Sequence, residues 1–266
     1  MIRVSVLMSV HNGEPWVAEA VESVLGQTCG DFEFIVVDDG STDGTGAILD
    51  GCRDPRVRVV HQARVGLTPS LNRAIRLAQA ALLARMDADD VAFPDRLARQ
   101  LAFLDARPDV GLLGTGCREI SPSGAVLRTI SPPEDDEAIR RALIRENPFI
   151  HSSVIFRREA LEKAGAYDER LSVAQDYDLW LRMSQVTRLA NLPEPLVLRR
   201  LTPGRVSRAR DTARLRAEVT VKLRALRRGA YPLWCAVFLA KPLCALALPA
   251  GPRQFLKRMA PRTKIR

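Results

Sequence analysis

Along residues 1–90 the apolar positions switch repeatedly between an unbroken run and a helical spacing. Val4–Val10 is a short, β-branched apolar run of strand length. Residues 15–25 follow with Trp16, Ala20 and Val24 on one helical face and Val17, Val21 and Leu25 beside it. Residues 32–37 form a second run, too short for an independent helix, after which Asp43 or Thr45 is placed to cap a short helix ending near Cys52. Val57–Gln62 predicts a third strand, and residues 82–86 a fourth. Between them, residues 70–81 predict a helix, with Leu71, Ala74, Ile75 and Ala78 recurring at i, i+3, i+4 and i+7. Strands alternating with helices imply right-handed crossovers and a mostly parallel α/β sheet covered by helices on both faces.

The second half is less regular. The pattern predicts a helix over 94–106, a strand over 110–115, a turn at Pro122-Ser123-Gly124 and a helix over 134–145. A strand over 153–156, a helix over 176–183 and two strands within 188–200 follow. An Arg-rich helix is expected over 208–228, ending at Gly229. No internal repeat is visible.

Composition adds a class and a compartment. With 47% hydrophobic and 27% charged residues in 266, the chain carries too much apolar surface to remain disordered. Its five cysteines are odd in number and scattered without a CxxC pair, which fits reduced thiols better than a disulfide framework or a zinc site. The start MIRVSVLMSVHNG does not read as a signal peptide, so a cytoplasmic location is expected.

The net charge of +9 conceals a division. Residues 1–198 hold 22 basic against 29 acidic groups, a net of −7; residues 199–266 hold 18 against 2, a net of +16. The expected organisation is therefore a body over 1–207 and a helical extension over 208–266. Within the extension, residues 231–250 are largely apolar but interrupted by Lys241-Pro242, and basic groups flank them on both sides. A lysine and a proline mid-run oppose a spanning helix, whereas basic flanks suit a segment lying on an anionic membrane surface; the alternative is an oligomer interface, or a hairpin packed back on the body. The tail lacks interleaved aromatics for base stacking, so no specific nucleic-acid partner is expected.

Two apolar runs end in carboxylates: Val36-Val37-Asp38-Asp39-Gly40 and Ala84-Arg85-Met86-Asp87-Ala88-Asp89-Asp90. In an open parallel sheet the strand C-termini share one edge, outside which ligands bind. Asp and Gly also make ordinary turns after strands, but two such clusters on one edge point to hard oxygen ligands for Mg²⁺ or Mn²⁺ beside a diphosphate.

The segments VSVLMSVHNG, ESVLGQT, DFEFIVVDDGSTDGT and ARMDADD, taken in order, resemble an inverting family 2 glycosyltransferase with the GT-A fold. The later stretch NPFIHSSVIFRREALEKAGAYDERLSVAQDYDLWLRMS resembles that family's acceptor half, so the likeness covers about residues 4–200. It implies transfer of a single sugar from a nucleotide-diphospho-sugar, UDP-linked for preference, to a glycan or lipid-linked glycan, in cell-surface polysaccharide biosynthesis. By the same resemblance Val10, Asn12 and Glu14 border the nucleotide, and Asp39 accepts a hydrogen bond from the base. Asn72 and Arg73 approach the nucleotide, Asp87 and Ala88 lie at the ribose, and Asp89, with Asp87, holds the metal. Asp90 is either a further site residue or a support of the turn. Asp176 stands where the family has its general base, with Gln175 replacing a common Glu; as a residue type it could equally cap the helix that follows. His151 and Arg200 are candidates at the acceptor or the diphosphate, while Arg199 and Thr202 replace a usual Tyr and His. Two other classes compete. A sugar nucleotidyltransferase would need a Gly-rich basic loop after the first strand, where only His11-Asn12-Gly13 stands. A degenerate GT-A domain would bind without turnover.

Overall fold

The computed structural model describes residues 2–202 and 211–247. Its centre is a nine-stranded sheet in the order β3-β2-β1-β4-β8-β6-β9-β5, with β7 hydrogen-bonded to β6. The first four members, β1 (Val4–Val10), β2 (Phe32–Asp39), β3 (Val57–Gln62) and β4 (Leu82–Arg85), are mutually parallel. They are linked by α1 (Val17–Leu25), α2 (Thr45–Asp50) and α3 (Leu67–Leu77). Every residue of β1, β2 and β4 is buried, as expected of strands covered on both faces.

Beyond β4 the direction mixes. The short β5 (Val91–Ala92) and α4 (Arg96–Ala106) lead into the long β6 (Val110–Ile120) and its hairpin partner β7 (Val126–Ile130). After α5 (Asp136–Leu143), β8 (Ile155–Arg157) inserts antiparallel to both β4 and β6. Then come α6 (Arg158–Ala164), α7 (Gln175–Met183) and β9 (Arg188–Arg200), which runs parallel to β6. One apolar core lies on each sheet face. Leu7, Ile35, Leu83, Phe156 and Trp180 belong to the first, and Val4, Val36, Ala84 and Leu101 to the second.

Several boundaries differ from the sequence expectation for physical reasons. The third helix starts at Leu67, because Gly66 at φ 104° turns the chain into it and Pro69 sits in the first turn, where its missing N–H costs nothing. It ends at Leu77 because the Arg158 guanidinium takes the Ala78 and Ala80 carbonyls at 2.7 and 2.9 Å, drawing that stretch out towards β4. The two strands expected within 188–200 are one. The register jumps from Leu192 opposite Thr115 to Pro195 opposite Gly116, so a bulge absorbs Pro193 and Glu194 without ending the strand.

The expected 207/208 boundary lies outside the described residues. Helix α8 (Asp211–Arg227) inserts Val221 and Ala225 into the core that holds Trp180. A 3₁₀ segment (Leu233–Leu239) and α9 (Ala240–Ala247) fold back on it through Cys235 and Leu239. Among the described residues no helix is long and apolar enough to cross a membrane.

Candidate active site

The loops after β1 and β2 leave the sheet side by side, because Val10 pairs with Asp38 in parallel register. They are laced together. Gly13 N–H donates to Thr45 Oγ1 (2.8 Å), Thr42 N–H to Asn12 Oδ1 (2.8 Å), and Gly44 N–H to Glu14 Oε2 (3.0 Å). Asn12 takes φ 52°, which asparagine tolerates, and Val10 is buried beneath. A Cβ on Gly13 would stand 2.5 Å from Val10 Cγ2, so the tight turn needs glycine. Glu14 and Asp43, rather than a residue at the cap itself, serve the start of α2; Asp43 Oδ1 accepts from Thr45 N–H at 3.0 Å.

Asp39 is almost fully buried and accepts from Gln62 Nε2 (2.9 Å), Val65 N–H (2.8 Å) and Gly66 N–H (2.8 Å). Burial alone would raise its carboxyl, but these donors and Ser70 outweigh it and hold it below its usual value. Asp38 is likewise lowered: Ser41 and His61 overcome its desolvation. Arg73 donates to Gln62 Oε1 at 2.7 Å and so joins Asp39 through that amide. Asn72 faces elsewhere. Its amide nitrogen donates to Tyr167 O (2.9 Å) and Glu169 Oε1 (2.8 Å), and its oxygen accepts from Tyr167 N–H at 3.2 Å. Those bonds clamp the loop before α7.

The second acidic cluster follows β4. Asp87, Asp89 and Asp90 each offer an oxygen, all within 4.8 Å of one another. Their environments divide them. Asp90 is fully buried, accepting from Ser152 Oγ and from Arg200 N–H (2.8 Å), and so supports the loop. Asp87 and Asp89, with Ala88 between them, remain half-buried. This all-oxygen, partly open set fits a hard divalent cation. Arg200 reaches the loop through the main chain: Nε donates to Asp89 O at 3.1 Å, and the guanidinium lies 4.5 Å over Trp16 and pairs with Glu19. Thr202, in the place of the family's usual His, donates to Asp89 Oδ2 at 3.3 Å.

The residues expected on the acceptor side lie on α7 and in the segments before β8 and α7. Asp176 is the second residue of α7, and the cap position is Ala174 at φ 59°, so Asp176 is not the helix cap. An alanine in the left-handed region is backbone strain, here one residue from Gln175 and two from Asp176. Asn147 Nδ2 donates to Asp176 Oδ2 at 2.8 Å, fixing the carboxylate, while Gln175 is buried. His151 Nε2 and the Tyr167 hydroxyl are hydrogen-bonded at 2.9 Å, and both rings stand edge-on to Trp180. Burial, then the charge of Arg85, pushes His151 down to about 4, so its ring is neutral near pH 7. Burial pushes the Tyr167 hydroxyl far up, so it keeps its proton. The charges of Arg85, Asp176 and Asp87 act on both groups of this pair as smaller effects than burial.

Arg85, Asn147 and Tyr167 were not singled out from sequence. Arg85 carried a signal: a charge inside an apolar strand, in step with core-facing Leu83. Asn147 and Tyr167 meet the site only through long-range folding.

Comparison with known proteins agrees with this architecture. A family model described as glycosyl transferase family 2 matches residues 5–165. The putative glycosyltransferase EpsE of Bacillus subtilis is 32% identical over 256 residues, covering 94% of this chain and 91% of that protein. The amylovoran biosynthesis glycosyltransferase AmsE of Erwinia amylovora is 31% identical over 261 residues, covering 95% and 97%. Among solved structures, S. aureus TarS 1-349 in complex with UDP-GlcNAc superposes with a TM-score of 0.71 at 21% identity, over 91% of this chain and 71% of that one. The mannosyltransferase PcManGT of Pyrobaculum calidifontis, in complex with GDP-Man and Mn²⁺, gives 0.65 at 24% identity, over 96% and 78%. With the motifs in order, the laced loops and the acidic cluster at the sheet edge, the chain belongs to glycosyl transferase family 2 and is a glycosyltransferase of GT-A fold.

Proposed function

We propose that this enzyme transfers one sugar, with inversion, from a nucleotide-diphospho-sugar to a hydroxyl of a glycan or lipid-linked glycan in polysaccharide biosynthesis. The observation that carries the reading is the all-oxygen Asp87–Asp89 cluster at the C-terminal edge of the parallel strands, beside the cross-linked loops that follow β1 and β2. Asp176, held by Asn147, removes the acceptor proton as the acceptor oxygen bonds to the anomeric carbon. The bond from that carbon to the diphosphate oxygen breaks on the opposite side, and its electron pair leaves with the nucleoside diphosphate. Asp87 and Asp89 hold a divalent Mg²⁺ or Mn²⁺, which supplies positive charge for the leaving group. The laced loops at Asn12, Glu14 and Asp39 border the nucleotide. UDP is preferred, as in the TarS complex, with GDP, as in PcManGT, the second choice.

The test is a panel of UDP-, dTDP- and GDP-sugars with Mn²⁺ or EDTA, reading nucleoside diphosphate release and binding. One donor should react with metal and not with EDTA, and Asp89→Ala should abolish the reaction. Metal-independent release would overturn the metal assignment. Absence of any binding would overturn the donor reading.

A second reading concerns the extension over 208–266, which docks on an anionic membrane surface from the cytoplasmic side and brings the enzyme to a lipid-linked acceptor. It is favoured by an outward apolar face: Leu233 is 80% exposed, Trp234 68% and Val237 61%, with Leu243 and Lys241 beside them. Residues 248–266, which follow in sequence, carry six basic and no acidic groups. Arg224 and Lys222 do not serve this face; they turn inward to Asp168 and to the Arg145 carbonyl. Full-length protein should sediment with vesicles containing phosphatidylglycerol, less with pure phosphatidylcholine, and Trp234→Glu should weaken the first. Equal recovery of wild type and Trp234→Glu would overturn it.

A further inference from the structure

Among the described residues Arg85 combines deep burial with donors that meet no partner. It lies on β4 in step with Leu83, so it projects onto the sheet face where Trp180 and Tyr167 pack. Its side chain is 1% exposed. Nη2 pairs with Asp87 Oδ1, but among the described residues Nε and Nη1 are enclosed without a hydrogen-bond partner, as is the indole nitrogen of Trp180 in the core on that face. Leaving a buried donor unmatched is destabilising, more so when the group is charged. Like charge adds to the strain. Burial and Arg85 together push the Arg96 guanidinium down to about 9, and Arg96 Nη2 sits 2.8 Å from the Arg85 carbonyl. Other side chains already tie this region together: Gln100 Nε2 donates to the Ser153 carbonyl and Ser152 Oγ to the Asp90 carboxylate. Strain concentrated beside reacting groups is the pattern of a residue retained for function.

Resting on the glycosyl-transfer reading, we propose that Arg85 is a positioning residue, its buried guanidinium pairing with Asp87 so that Asp87 is held in one orientation towards the metal-diphosphate end of the donor. Burial supplies rigidity, the enclosed guanidinium cannot be solvated away, and Asp87 is the group it aims. Lysine could keep the charge at this place but not the planar fork that fixes the direction.

The test uses full-length Arg85→Met and Arg85→Lys, with thermal melting and UDP or GDP binding in excess Mn²⁺, whichever nucleotide the wild type binds. Methionine fills similar space without donors or charge, and Asp87 keeps water contact on its open side. Replacing a buried ion by an apolar side chain of like volume is often neutral or stabilising. Arg85→Met should therefore melt no more than about 4 °C below wild type, or above it, while nucleotide binds about tenfold or more weakly. Arg85→Lys should recover part of the affinity, which a purely structural role would not produce without a matching recovery of the melting temperature. A larger loss of melting temperature in Arg85→Met makes Arg85 a structural strut and overturns the proposal. Unchanged nucleotide affinity overturns it as well. A wild type that binds neither nucleotide with Mn²⁺ removes the donor reading first and this inference with it, whereas wild-type binding with an indifferent variant removes only the inference.

Discussion

Asp39 and Arg85 are both almost wholly buried charges at the ends of parallel strands of one sheet, yet they are treated in opposite ways. Asp39 has three N–H donors fitted to it from the last residue of β3 and the loop that follows. Arg85 has one carboxylate and two enclosed N–H groups with nothing to meet. The contrast extends to their surroundings. On the nucleotide side, loops 10–14 and 38–45 are cross-linked by main-chain donors to Asn12, Glu14 and Asp43. On the proposed acceptor side stand a neutral His151, a protonated Tyr167, a Trp180 nitrogen unmatched among the described residues, and a left-handed Ala174 two residues before Asp176. One side is densely hydrogen-bonded; the other leaves polar groups unmatched and backbone strained. Substitutions should therefore separate the two sides by which property they damage.

The largest effect is expected at Asp176. Asp176→Asn keeps the shape and one oxygen for Asn147 but cannot take the acceptor proton, so transfer should fall about 10³-fold. Its melting temperature should stay within about 3 °C of wild type, since a half-buried carboxylate with one neutral partner contributes little. Initial rates of nucleoside diphosphate release with acceptor present, set beside a thermal melt, check both. A parallel loss of stability would erase the distinction between the two sides.

Asp39 should behave in reverse. Asp39→Ala strands the Val65 and Gly66 N–H groups and the Gln62 amide, costing about 3 kcal/mol and roughly 6–10 °C of melting temperature. Asp39→Asn retains an acceptor oxygen and should lose about half as much. A melt without any substrate is sufficient. If Asp39→Ala melted like wild type, the donors around this carboxylate would be incidental to the stability of the loop.

How far the sequence reveals each side follows from the range of the interactions. Val57–Gln62 was bounded correctly because its apolar run is closed locally by Pro55 and Gly66. The third helix was displaced because its end is set by Arg158, which is remote in the chain and carries no local mark. The bulge that makes β9 continuous depends on the facing Gly116, where a Cβ would stand 2.6 Å from Pro193 O. In the site, the carboxylates after β2 and β4 were legible because the sheet edge gathers strand ends. Asn72 has a further role that nothing nearby in sequence shows: it clamps Tyr167. Arg85 was visible as a charge in an apolar run, but its lack of partners is a property of the fold.

Gly40 tests how rigid the nucleotide side is. It adopts φ 69°, and an added Cβ would lie 2.7 Å from the main-chain nitrogen of Arg64, one residue before the donors to Asp39. Gly40→Ala should cost about 1–2 kcal/mol from the left-handed backbone alone, with the main-chain clash adding to it. The loop cannot yield without pulling Val65 from Asp39, so nucleotide affinity should fall with stability. An alanine variant that melts and binds normally would mean that the two loops move independently.

The smallest effect, and the one with a definite sign in pH, belongs to His61. Its ring lies between Asp38 Oδ2 at 2.9 Å and Asp50 Oδ1 at 3.0 Å, with 46% of its side chain exposed. The hydrogen bonds to Asp38 and Asp50 raise it above 6.5, and it in turn helps hold Asp38 below 3.8. A raised histidine adds stability that is full below its unfolded value near 6.5 and is lost as pH climbs through the raised folded value. The lowered Asp38 contributes above its unfolded value and fails only as pH falls through its folded one. Both terms are therefore complete at about pH 5–6, and only the histidine term fades towards pH 9. Because the ring is half exposed, solvent screening limits the pair to about 0–1 kcal/mol. The wild-type advantage over His61→Gln should be about 1–3 °C near pH 5.5 and shrink as pH rises. An advantage that grew with pH would place a neutral imidazole between the two carboxylates and reverse the sign of the coupling at this corner of the nucleotide side.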